Sequence, residues 1–352
     1  METRQGGVAH ALDLIRARGG AAQLCVLRDG QVMVDQAVGC APGSLFWIFS
    51  ASKPFVALLI HLLAQCGQLS LDDPVASYWP GFGNHGKAMV TIRHVLRHRS
   101  GMSTAHGMLT DALAMTDWEQ SIHNIERATL RWPLGEVLAY QPIIHGFILG
   151  EVIRLTTGVD IAEFLRSEFL NPLGLTDTYL GLPNNLWPRH VPIRATNASG
   201  VPTQWLVNRR AIRQAVIPAA GISTTARDLA RFYQALLCDG ELDGVQIIKP
   251  AAIHEARKLS SEGDIDKVTR LPVWWGQGFQ LSASARDGNI PGPMGQLSSP
   301  ATFGHNGSYC CIAWADPTRR LAFAHLTNLL PLPREGIRHH SQVADPILAA
   351  CS

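Results

Sequence analysis

The sequence predicts an α+β fold, in which an antiparallel sheet built from both ends of the chain is flanked by helices and carries a mainly helical inserted region. Of the 352 residues, 46% are apolar and 16% are charged, which is enough apolar material for a large core. Strand-like runs lie near both ends, whereas the middle has mostly helical periodicity. We therefore assign 1–68 and 226–352 to a sheet region and 69–225 to a mostly helical region.

The chain begins with a predicted helix and a β-hairpin. The first 20 residues are amphipathic, and two short apolar runs follow them, Ala22–Leu27 and Gln31–Val38. Asp29-Gly30 joins these runs, and Asp-Gly is among the strongest signals for a two-residue hairpin turn. We therefore expect two antiparallel strands directly after the first helix.

The next elements are predicted to be helical. An apolar segment from Ser50 to about Cys66 predicts a helix of about four turns, and Gly67 stands where a helix commonly ends. Helical periodicity recurs at Val90–Arg97, Ile143–Thr156 and Ile161–Phe169, with few alternating segments between them. The middle of the chain is therefore expected to hold few strands.

The last third returns to strand-like patterns. Apolar and β-branched runs occupy Trp274–Leu281, Ser308–Ala315 and Arg320–Thr327, and the last two are joined around Asp316-Pro317. These runs complete the sheet that the first hairpin begins.

Charge and cysteine usage exclude several classes of function. Thirty Lys and Arg against 28 Asp and Glu, with no long run of one sign, give no electrostatic footprint for nucleic acid or an anionic membrane. No apolar run reaches 18 residues, so we expect no membrane insertion.

The N-terminal residues lack a secretory signal pattern, which favours the cytoplasm. Seven scattered cysteines without a CxxC pair suggest neither disulfides nor zinc, and we expect no cofactor. The oligomeric state cannot be read from the sequence.

Two motif-like patterns fail on their context, and a third motif is absent. GFGNHGKA at 81–88 matches GxGxxG, but SYWP rather than a strand precedes it, and Ala88 lacks the hydroxyl of a P-loop, so we interpret it as a surface loop. His94 and His98 are one helical turn apart without a third ligand, which favours an ordinary helix face over a metal site. No GxSxG nucleophile elbow is present.

One motif has a context that supports chemistry. Ser50-Ala51-Ser52-Lys53 is an SxxK at the start of the long apolar helix, in a chain with only five lysines. Residues i and i+3 share a helix face, so Lys53 can reach the Ser50 hydroxyl, and a helix N-terminus favours developing negative charge there. Pro54 is tolerated in a first turn. The alternative is a helix cap followed by a solvated lysine.

Five segments follow one another along the chain: LFWIFSASKPF, then DDPVASYWPGFG with VTIRHVLRHRSGM, then PLGEVLAYQPIIHGFILGEVIRLTTG, then PAAGISTTARDLARF, and last GHNGSYCCIAWADP. With them the chain resembles the serine β-lactamase and penicillin-binding-protein superfamily, especially its class C-like branch of esterases, D-amino peptidases and transacylases. The last segment resembles the family's final sheet strand with its third motif. This resemblance implies a β-lactamase/transpeptidase-like fold that forms one catalytic unit.

The resemblance implies roles for the first group of site residues. Ser50 is the expected acylated nucleophile, Lys53 its partner, and Tyr140 the general base. The chemistry is coherent, because a serine hydroxyl needs a base and a Tyr phenolate needs its pKa lowered by roughly 2 to 3 units. A Lys53 cation near the phenol would supply part of that shift.

The third motif supplies the remaining site residues. His305-Asn306-Gly307 stands where the family has Lys-Thr-Gly or His-x-Gly, and the resemblance implies an oxyanion hole from the backbone N–H groups of Ser50 and Ser308. His305 is expected to hydrogen-bond the tyrosine or orient the substrate. Its ring would titrate near pH 6 to 7 and change activity there. The alternative is a strand-edge histidine without a role.

Two departures from the family pattern bear on the substrate. Pro142 stands where the family has Asn or Ser, and His305 replaces a lysine that attracts a carboxylate. Both disfavour β-lactams, so we predict a small-molecule ester or amide substrate, with carboxylic esters favoured. The alternatives are a β-lactamase, a D-Ala carboxypeptidase or D-amino peptidase, an acyltransferase, and an inactive binding protein.

Side chains near the motifs are candidates for an acyl pocket, with core packing as the equal alternative. Cys310 and Cys311 are interpreted as buried small side chains. The aromatic candidates are Trp47, Trp132, Trp205, Trp274, Trp275 and Tyr309.

Overall fold

The fold consists of a large antiparallel sheet with helices on both faces, in a computed structural model that describes residues 2–282 and 292–351. The predicted α+β class is confirmed. The helices are α1 (Glu2–Arg18), α2 (Lys53–Gln65), α3 (Ile92–Leu96), α4 (Met108–Ala114), α5 (Trp118–Arg127), α6 (Ile144–Thr157), α7 (Ile161–Leu165), α8 (Val201–Val207), α9 (Arg210–Gln214), α10 (Ala226–Leu237), α11 (Pro250–Arg257) and α12 (Pro333–Ala350).

The strands are short except in the main sheet. They are β1 (Ala22–Arg28), β2 (Gln31–Val38), β3 (Phe46–Trp47), β4 (Tyr179–Leu180), β5 (Arg194–Ala195), β6 (Ile222–Thr224), β7 (Glu241–Leu242), β8 (Val245–Gln246), β9 (Ser261–Ile265), β10 (Pro272–Trp275), β11 (Gln280–Leu281), β12 (Phe303–Gly307), β13 (Cys311–Asp316), β14 (Leu321–Thr327) and β15 (Leu329–Leu330).

The main sheet joins the two ends of the chain. Its eight strands have the order β2-β1-β14-β13-β12-β11-β10-β9, and each neighbouring pair is antiparallel. The junction pairs Ala22 with Thr327 and Arg28 with Leu321. All eight strands therefore come from 22–38 and 261–327.

Alternating side chains bury both faces of this sheet. Along β1, Leu24 and Val26 belong to a core cluster with residues of α1 and α12. Cys25 and Leu27 belong to the larger core cluster, which contains residues of α10 and α2. Strands covered on both faces have apolar residues at successive positions, which is why β1, β13 and β14 read as continuous apolar runs.

The structure confirms the predicted opening hairpin and first long helix. Asp29 and Gly30 both have positive φ, 54° and 77°, as a two-residue turn between twisted strands requires. A 3₁₀ helix (Phe49–Ser52) precedes α2, which ends at Cys66. Gly67 follows with φ 71°, the left-handed conformation common after a helix.

The prediction of one strand over Trp274–Leu281 is wrong. β10 and β11 are separate strands joined by a tight turn, in which Gly278 has φ 113°. A Cβ at Gly278 would clash with the Ala57 side chain of α2, so this turn brings the sheet against the helix. Period-two alternation cannot reveal such a turn, because its apolar residues continue the pattern.

The prediction of a strand over Ser308–Ala315 is wrong at its start. Ser308 and Tyr309 have φ values of 46° and 60°, and the strand begins only at Cys311. The third motif consequently lies on β12, before a tight turn. β12 is not the final strand, because β13 and β14 follow it.

The segment 81–88 is not a simple surface loop. Lys87 is fully buried there, and its ammonium donates to three backbone carbonyl oxygens, those of Asn84, Glu126 and Ala128. These bonds tie the segment to α5 and the residues after it. Across 2–282 and 292–351, the chain forms no helix with the length and apolarity to cross a membrane.

Candidate active site

A tight turn presents Ser50 at the start of the first core helix. β3 pairs with β6, and the Ile48 N–H donates to the Ile222 carbonyl oxygen at 3.0 Å. Phe49 then takes φ 46°, a left-handed conformation that is uncommon outside glycine. The Ser52 hydroxyl accepts the Ile222 N–H at 3.2 Å. Ser50 therefore lies in a 3₁₀ turn held on both sides, one turn before the α-helix in which the sequence placed it.

Lys53, the first residue of α2, lies directly behind Ser50. Its side chain is 1% exposed. Its Nζ lies 3.2 Å from Ser50 Oγ, 2.9 Å from the Pro142 carbonyl oxygen and 3.3 Å from the Ala219 carbonyl oxygen. No carboxylate is among these partners, and burial holds the pKa of Lys53 well below its usual range.

Tyr140 is the second side chain in contact with the Ser50 hydroxyl. Its hydroxyl donates to Ser50 Oγ at 2.7 Å, and its backbone N–H donates to the Asp266 carboxylate at 2.7 Å. The ring stacks on Trp275 with centroids 5.6 Å apart, and Lys53 Nζ lies 4.8 Å from its centroid. Burial raises the pKa of Tyr140, although the hydrogen bond to Ser50 opposes that shift. The phenol therefore keeps its proton at neutral pH.

The end of β12 lies against the nucleophile turn. A Cβ at Gly307 would clash with the Ile48 carbonyl oxygen, so only glycine permits this approach. The turn that begins at Ser308 follows immediately. Within the described ranges, neither the Ser50 nor the Ser308 backbone N–H donates to a protein acceptor. The Ser50 N–H and the Ser308 N–H, both without a protein acceptor in the part of the chain that the structure describes, therefore lie on neighbouring segments.

Comparisons with known proteins give the family of the chain. A sequence profile of the beta-lactamase family matches residues 9–345. The chain belongs to the beta-lactamase family. Within this family it is 30% identical to the esterase/beta-lactamase LipL of Mycobacterium tuberculosis, over 90% of this chain and 79% of LipL.

Two solved structures extend the similarity to the whole fold. A penicillin-binding protein homologue from Caulobacter crescentus has a TM-score of 0.85 and 27% identity, and the match covers 98% of this chain and 97% of the homologue. A family VIII carboxylesterase has a TM-score of 0.81 and 25% identity, with 96% of each chain covered. The chain is therefore a serine hydrolase of the beta-lactamase family with a β-lactamase/transpeptidase-like fold.

The prediction that the His305 ring of this beta-lactamase-family hydrolase titrates near pH 6 to 7 is wrong. His305 is buried, and burial together with the nearby Lys53 lowers its pKa to about 3. Its Nδ1 lies 2.6 Å from the Asn306 carbonyl oxygen, so Nδ1 carries the proton of the neutral ring. The expected hydrogen bond to Tyr140 is not formed: the Tyr140 hydroxyl donates to Ser50, and His305 Nε2 has no hydrogen-bond partner within residues 2–282 and 292–351. The Trp275 ring contacts both residues. His305 stays neutral near pH 6 to 7.

Asn306 is engaged within the protein. Its side-chain amide and its backbone N–H both donate to the Gln280 side-chain oxygen, at 2.8 and 2.9 Å. Its own side-chain oxygen accepts the Tyr309 N–H at 3.4 Å. These bonds join β12 to β11 and to the turn after Gly307, so Asn306 fixes the third motif.

The interpretation of His98 as part of an ordinary helix face is wrong. α3 ends at Leu96, and His98 takes φ 56°. Its ring is buried 4.8 Å from the Tyr140 ring, and its Nδ1 accepts the Gln141 N–H at 3.3 Å. Only its place in the segment that resembles the family, ahead of Ser-Gly-Met, pointed toward the site.

Two further residues near Tyr140 escaped the sequence analysis. Asp266 is fully buried and accepts the Tyr140 N–H. The His145 ring lies 4.9 Å from that of His98, and neither His145 nitrogen has a hydrogen-bond partner in the described part of the chain. Neither residue stands in a recognisable spacing, so no sequence signal identified it.

Pro142 has no polar side chain, but its main-chain carbonyl oxygen supplies one hydrogen-bond acceptor to Lys53. Its carbonyl oxygen accepts from Lys53 at 2.9 Å, while the preceding Gln141 side chain is buried and donates to Ser100 Oγ at 2.8 Å. Neither side chain can hydrogen-bond a substrate amide. The sequence departure at 142 is therefore a real loss of a polar group at the site.

The aromatic candidates separate by burial. Trp47 is in the core, Trp205 is 64% exposed on α8, and Trp275 supports Tyr140. Trp274 is buried, and Trp132 and Tyr309 are half-buried. Cys310 and Cys311 are buried, as expected. Core packing explains Trp47, and surface exposure removes Trp205 from an enclosed pocket.

Proposed function

We propose that this hydrolase cleaves carboxylic esters through an acyl-enzyme on Ser50. One observation carries the proposal: Ser50 Oγ lies within hydrogen-bond distance of both the Lys53 amine, at 3.2 Å, and the Tyr140 phenol, at 2.7 Å. A serine with both a base and a proton donor within hydrogen-bond distance has what acyl transfer needs.

Lys53 is the better candidate for the base. A neutral amine has two N–H bonds and one lone pair, and the carbonyl oxygens of Pro142 and Ala219 accept the two N–H bonds. The lone pair then faces Ser50 Oγ. Because burial lowers the pKa of Lys53 and raises that of Tyr140, we assign the base role to Lys53 and that of proton donor to Tyr140, which reverses the expectation from the sequence.

The acylation step follows from these assignments. The Ser50 proton moves to Lys53 Nζ as Oγ forms a bond to the ester carbonyl carbon, and the Ser50 and Ser308 N–H groups stabilise the oxyanion by about 3 kcal/mol each. The ester C–O bond then breaks, and the leaving alkoxide takes a proton from Tyr140. Tyr140 regains that proton from the Lys53 ammonium.

Deacylation repeats the sequence with water as the nucleophile. Water loses one proton to Lys53 while its oxygen attacks the acyl carbon, and the Lys53 ammonium then gives that proton to Ser50 Oγ as the bond between Oγ and the acyl carbon breaks. The enzyme ends in its starting protonation state, and the products are a carboxylic acid and an alcohol.

Neutral esters fit the site better than carboxylate-bearing substrates. β-Lactams and D-Ala peptides carry a carboxylate, and the position from which the family's lysine attracts it holds the buried, neutral His305. Similarity to a family VIII carboxylesterase supports the same substrate class, and the name of LipL covers both esterase and beta-lactamase.

Hydrolysis of p-nitrophenyl esters from acetate to octanoate tests the proposal, with Ser50→Ala compared with the wild type. We expect the variant to lose at least about 10⁴-fold in kcat/KM. Ser70→Ala, which removes an exposed loop hydroxyl, is the matched control and should keep wild-type activity.

Two further substrates are run in the same experiment, a chromogenic cephalosporin and a D-Ala-D-Ala peptide. Faster Ser50-dependent turnover of either one than of every ester would overturn the ester assignment. Mass-spectrometric labelling of Ser50 by a fluorophosphonate, without turnover of any substrate, would also contradict the proposal, as would the absence of labelling.

A further inference from the structure

The C-terminal helix packs against the back of the turn that holds the Ser308 N–H. Gly336 and His340 of α12 are four residues apart and therefore lie on one face of the helix. A Cβ at Gly336 would lie 2.5 Å from both the Cβ and the carbonyl oxygen of Tyr309. Close contact between helix and turn thus depends on glycine at this position.

His340 adds a hydrogen bond to the same carbonyl. Its Nε2 lies 3.0 Å from the Tyr309 carbonyl oxygen, and since a carbonyl only accepts, Nε2 carries a proton. Its Nδ1 lies 3.2 Å from His325 Nδ1 on β14, which leaves room for a single proton between the rings. With His340 neutral, that proton belongs to His325. The two tautomers are therefore fixed by each other and by Tyr309.

The surroundings of the two histidines keep them neutral. Both rings are fully buried between the sheet and α12, and His339 and Arg18 lie nearby. Burial lowers the pKa of both, and the Arg18 guanidinium acts in the same direction. The hydrogen-bonded chain from His325 through His340 to Tyr309 therefore persists across neutral pH.

The turn itself needs such support. Ser308 and Tyr309 are non-glycine residues in the left-handed region, which is strained and persists only where the surroundings impose it. Within the turn, the Tyr309 N–H makes only a long bond to Asn306, 3.4 Å, and the Cys310 N–H donates to the Gly307 carbonyl at 3.0 Å. The contacts from α12 act on the Tyr309 side chain and on the Tyr309–Cys310 peptide, two peptide units after the one that carries the Ser308 N–H.

We infer that Gly336 and His340, with His325 behind them, are positioning residues that hold the Ser308 N–H in place as an oxyanion donor. This inference rests on the proposed function, because it assigns a support to the oxyanion hole used there. The Ser308 N–H binds the tetrahedral oxyanion more strongly than it binds the carbonyl oxygen of the ground-state ester. Its misplacement should therefore affect the transition state more than substrate binding.

The test compares an oxygen ester with its thionoester, p-nitrophenyl butyrate and O-p-nitrophenyl thionobutyrate. Sulfur is a weak hydrogen-bond acceptor, so the oxyanion donors accelerate the oxygen ester more than the thionoester. We expect Gly336→Ala and His340→Leu to lower kcat for the oxygen ester by about 10- to 100-fold, with KM changed less than about threefold. The ratio of oxygen-ester to thionoester kcat should fall by at least about tenfold.

Three control variants separate positioning from general damage. His340→Gln should stay within about threefold of wild type, because its amide can donate to Tyr309 and accept from His325. Gly7→Ala places a Cβ against the Pro346 carbonyl, at the other end of α12, and should lower thermal stability without changing the ratio. His339→Gln changes a neighbouring ring that makes no hydrogen bond to Tyr309 and should also keep the ratio.

The outcomes distinguish this inference from the proposed function. Ester hydrolysis by the wild type that survives in Ser50→Ala would overturn the proposed function. Ser50-dependent hydrolysis with an unchanged ratio in Gly336→Ala would overturn the positioning role, even if His340→Leu does not fold. A ratio that falls equally in Gly7→Ala would do the same, because it would trace the effect to general loosening of α12.

Discussion

Two lysines are buried in this protein, and their surroundings differ in one partner. Lys53 and Lys87 are 1% and 0% exposed, and each ammonium has three oxygen partners. All three partners of Lys87 are backbone carbonyl oxygens, whereas one partner of Lys53 is the Ser50 hydroxyl. A carbonyl oxygen can only accept a hydrogen bond, whereas a hydroxyl group can also transfer its proton to a base.

The two lysines also differ in whether a carboxylate opposes the effect of burial on the pKa. Burial lowers the pKa of Lys87 to about 8, and Glu126 acts against that shift. Burial also lowers the pKa of Lys53, and no carboxylate opposes that shift. Lys87 therefore remains a mostly charged cross-link at neutral pH, while Lys53 is poised to exchange a proton. Burial alone does not identify a catalytic lysine, and the decisive difference is a partner that can be deprotonated.

Exchanging each lysine for methionine gives the largest expected effect. Lys53→Met should lower kcat about 10⁴-fold, because it removes the base, and should cost less stability than Lys87→Met, because two carbonyls rather than three lose their donor. Lys87→Met should leave kcat unchanged and lower the free energy of unfolding by about 2–4 kcal/mol, because buried carbonyls lose their donor. Ester kinetics and urea unfolding of both variants measure this. Equal kinetic losses in the two variants would remove the distinction between the lysines.

Tyr140→Phe should have a smaller kinetic effect than Lys53→Met. The variant keeps the contact between Lys53 and Ser50 and loses only the proton donor, so we expect kcat to fall about 10²-fold. Esters with acidic leaving groups need less protonation, and p-nitrophenyl esters should be less affected than alkyl esters. If the variant lost more activity than Lys53→Met on every ester, Tyr140 rather than Lys53 would be the base.

The pH dependence of His305→Gln should match that of the wild type. The pKa of His305 is about 3, so its ring is neutral from pH 5 upward and cannot produce an inflection there. kcat/KM should rise with pH as the Lys53 ammonium loses its proton, since the neutral amine is the base. Profiles from pH 5 to 9 measure this. Loss of the acid limb in His305→Gln would show that His305, and not Lys53, titrates.

Local signals in the sequence predicted the main elements and the residues that meet at Ser50. Asp29-Gly30 predicted the hairpin because that turn requires positive φ at both positions, and Gly67 predicted the end of α2. The SxxK spacing and the resemblance together named Ser50, Lys53 and Tyr140, which the structure brings within hydrogen-bond distance. Their chemical roles remain predictions until the variants are measured, as does the assignment of Ser308.

The remaining features depend on main-chain atoms and on long-range packing. Lys53 contacts the carbonyl oxygens of Pro142 and Ala219, and any residue type supplies a carbonyl. The neutrality of His305 comes from burial, which its strand-edge pattern did not show. The turn at Gly278 exists because the sheet approaches α2 there, a contact 221 residues apart in the chain.

The pairing of β1 with β14 has a consequence for synthesis of the chain on the ribosome. β1 can pair with β2 at once, but its other edge waits for a strand that lies roughly 290 residues later, about 15–60 s at ordinary translation rates. During that interval an apolar strand edge is open to misassembly with neighbouring nascent chains. Native sheet formation therefore waits until residues 321–327 have been synthesised, and the yield of folded enzyme should depend on how well holdase chaperones protect this hairpin.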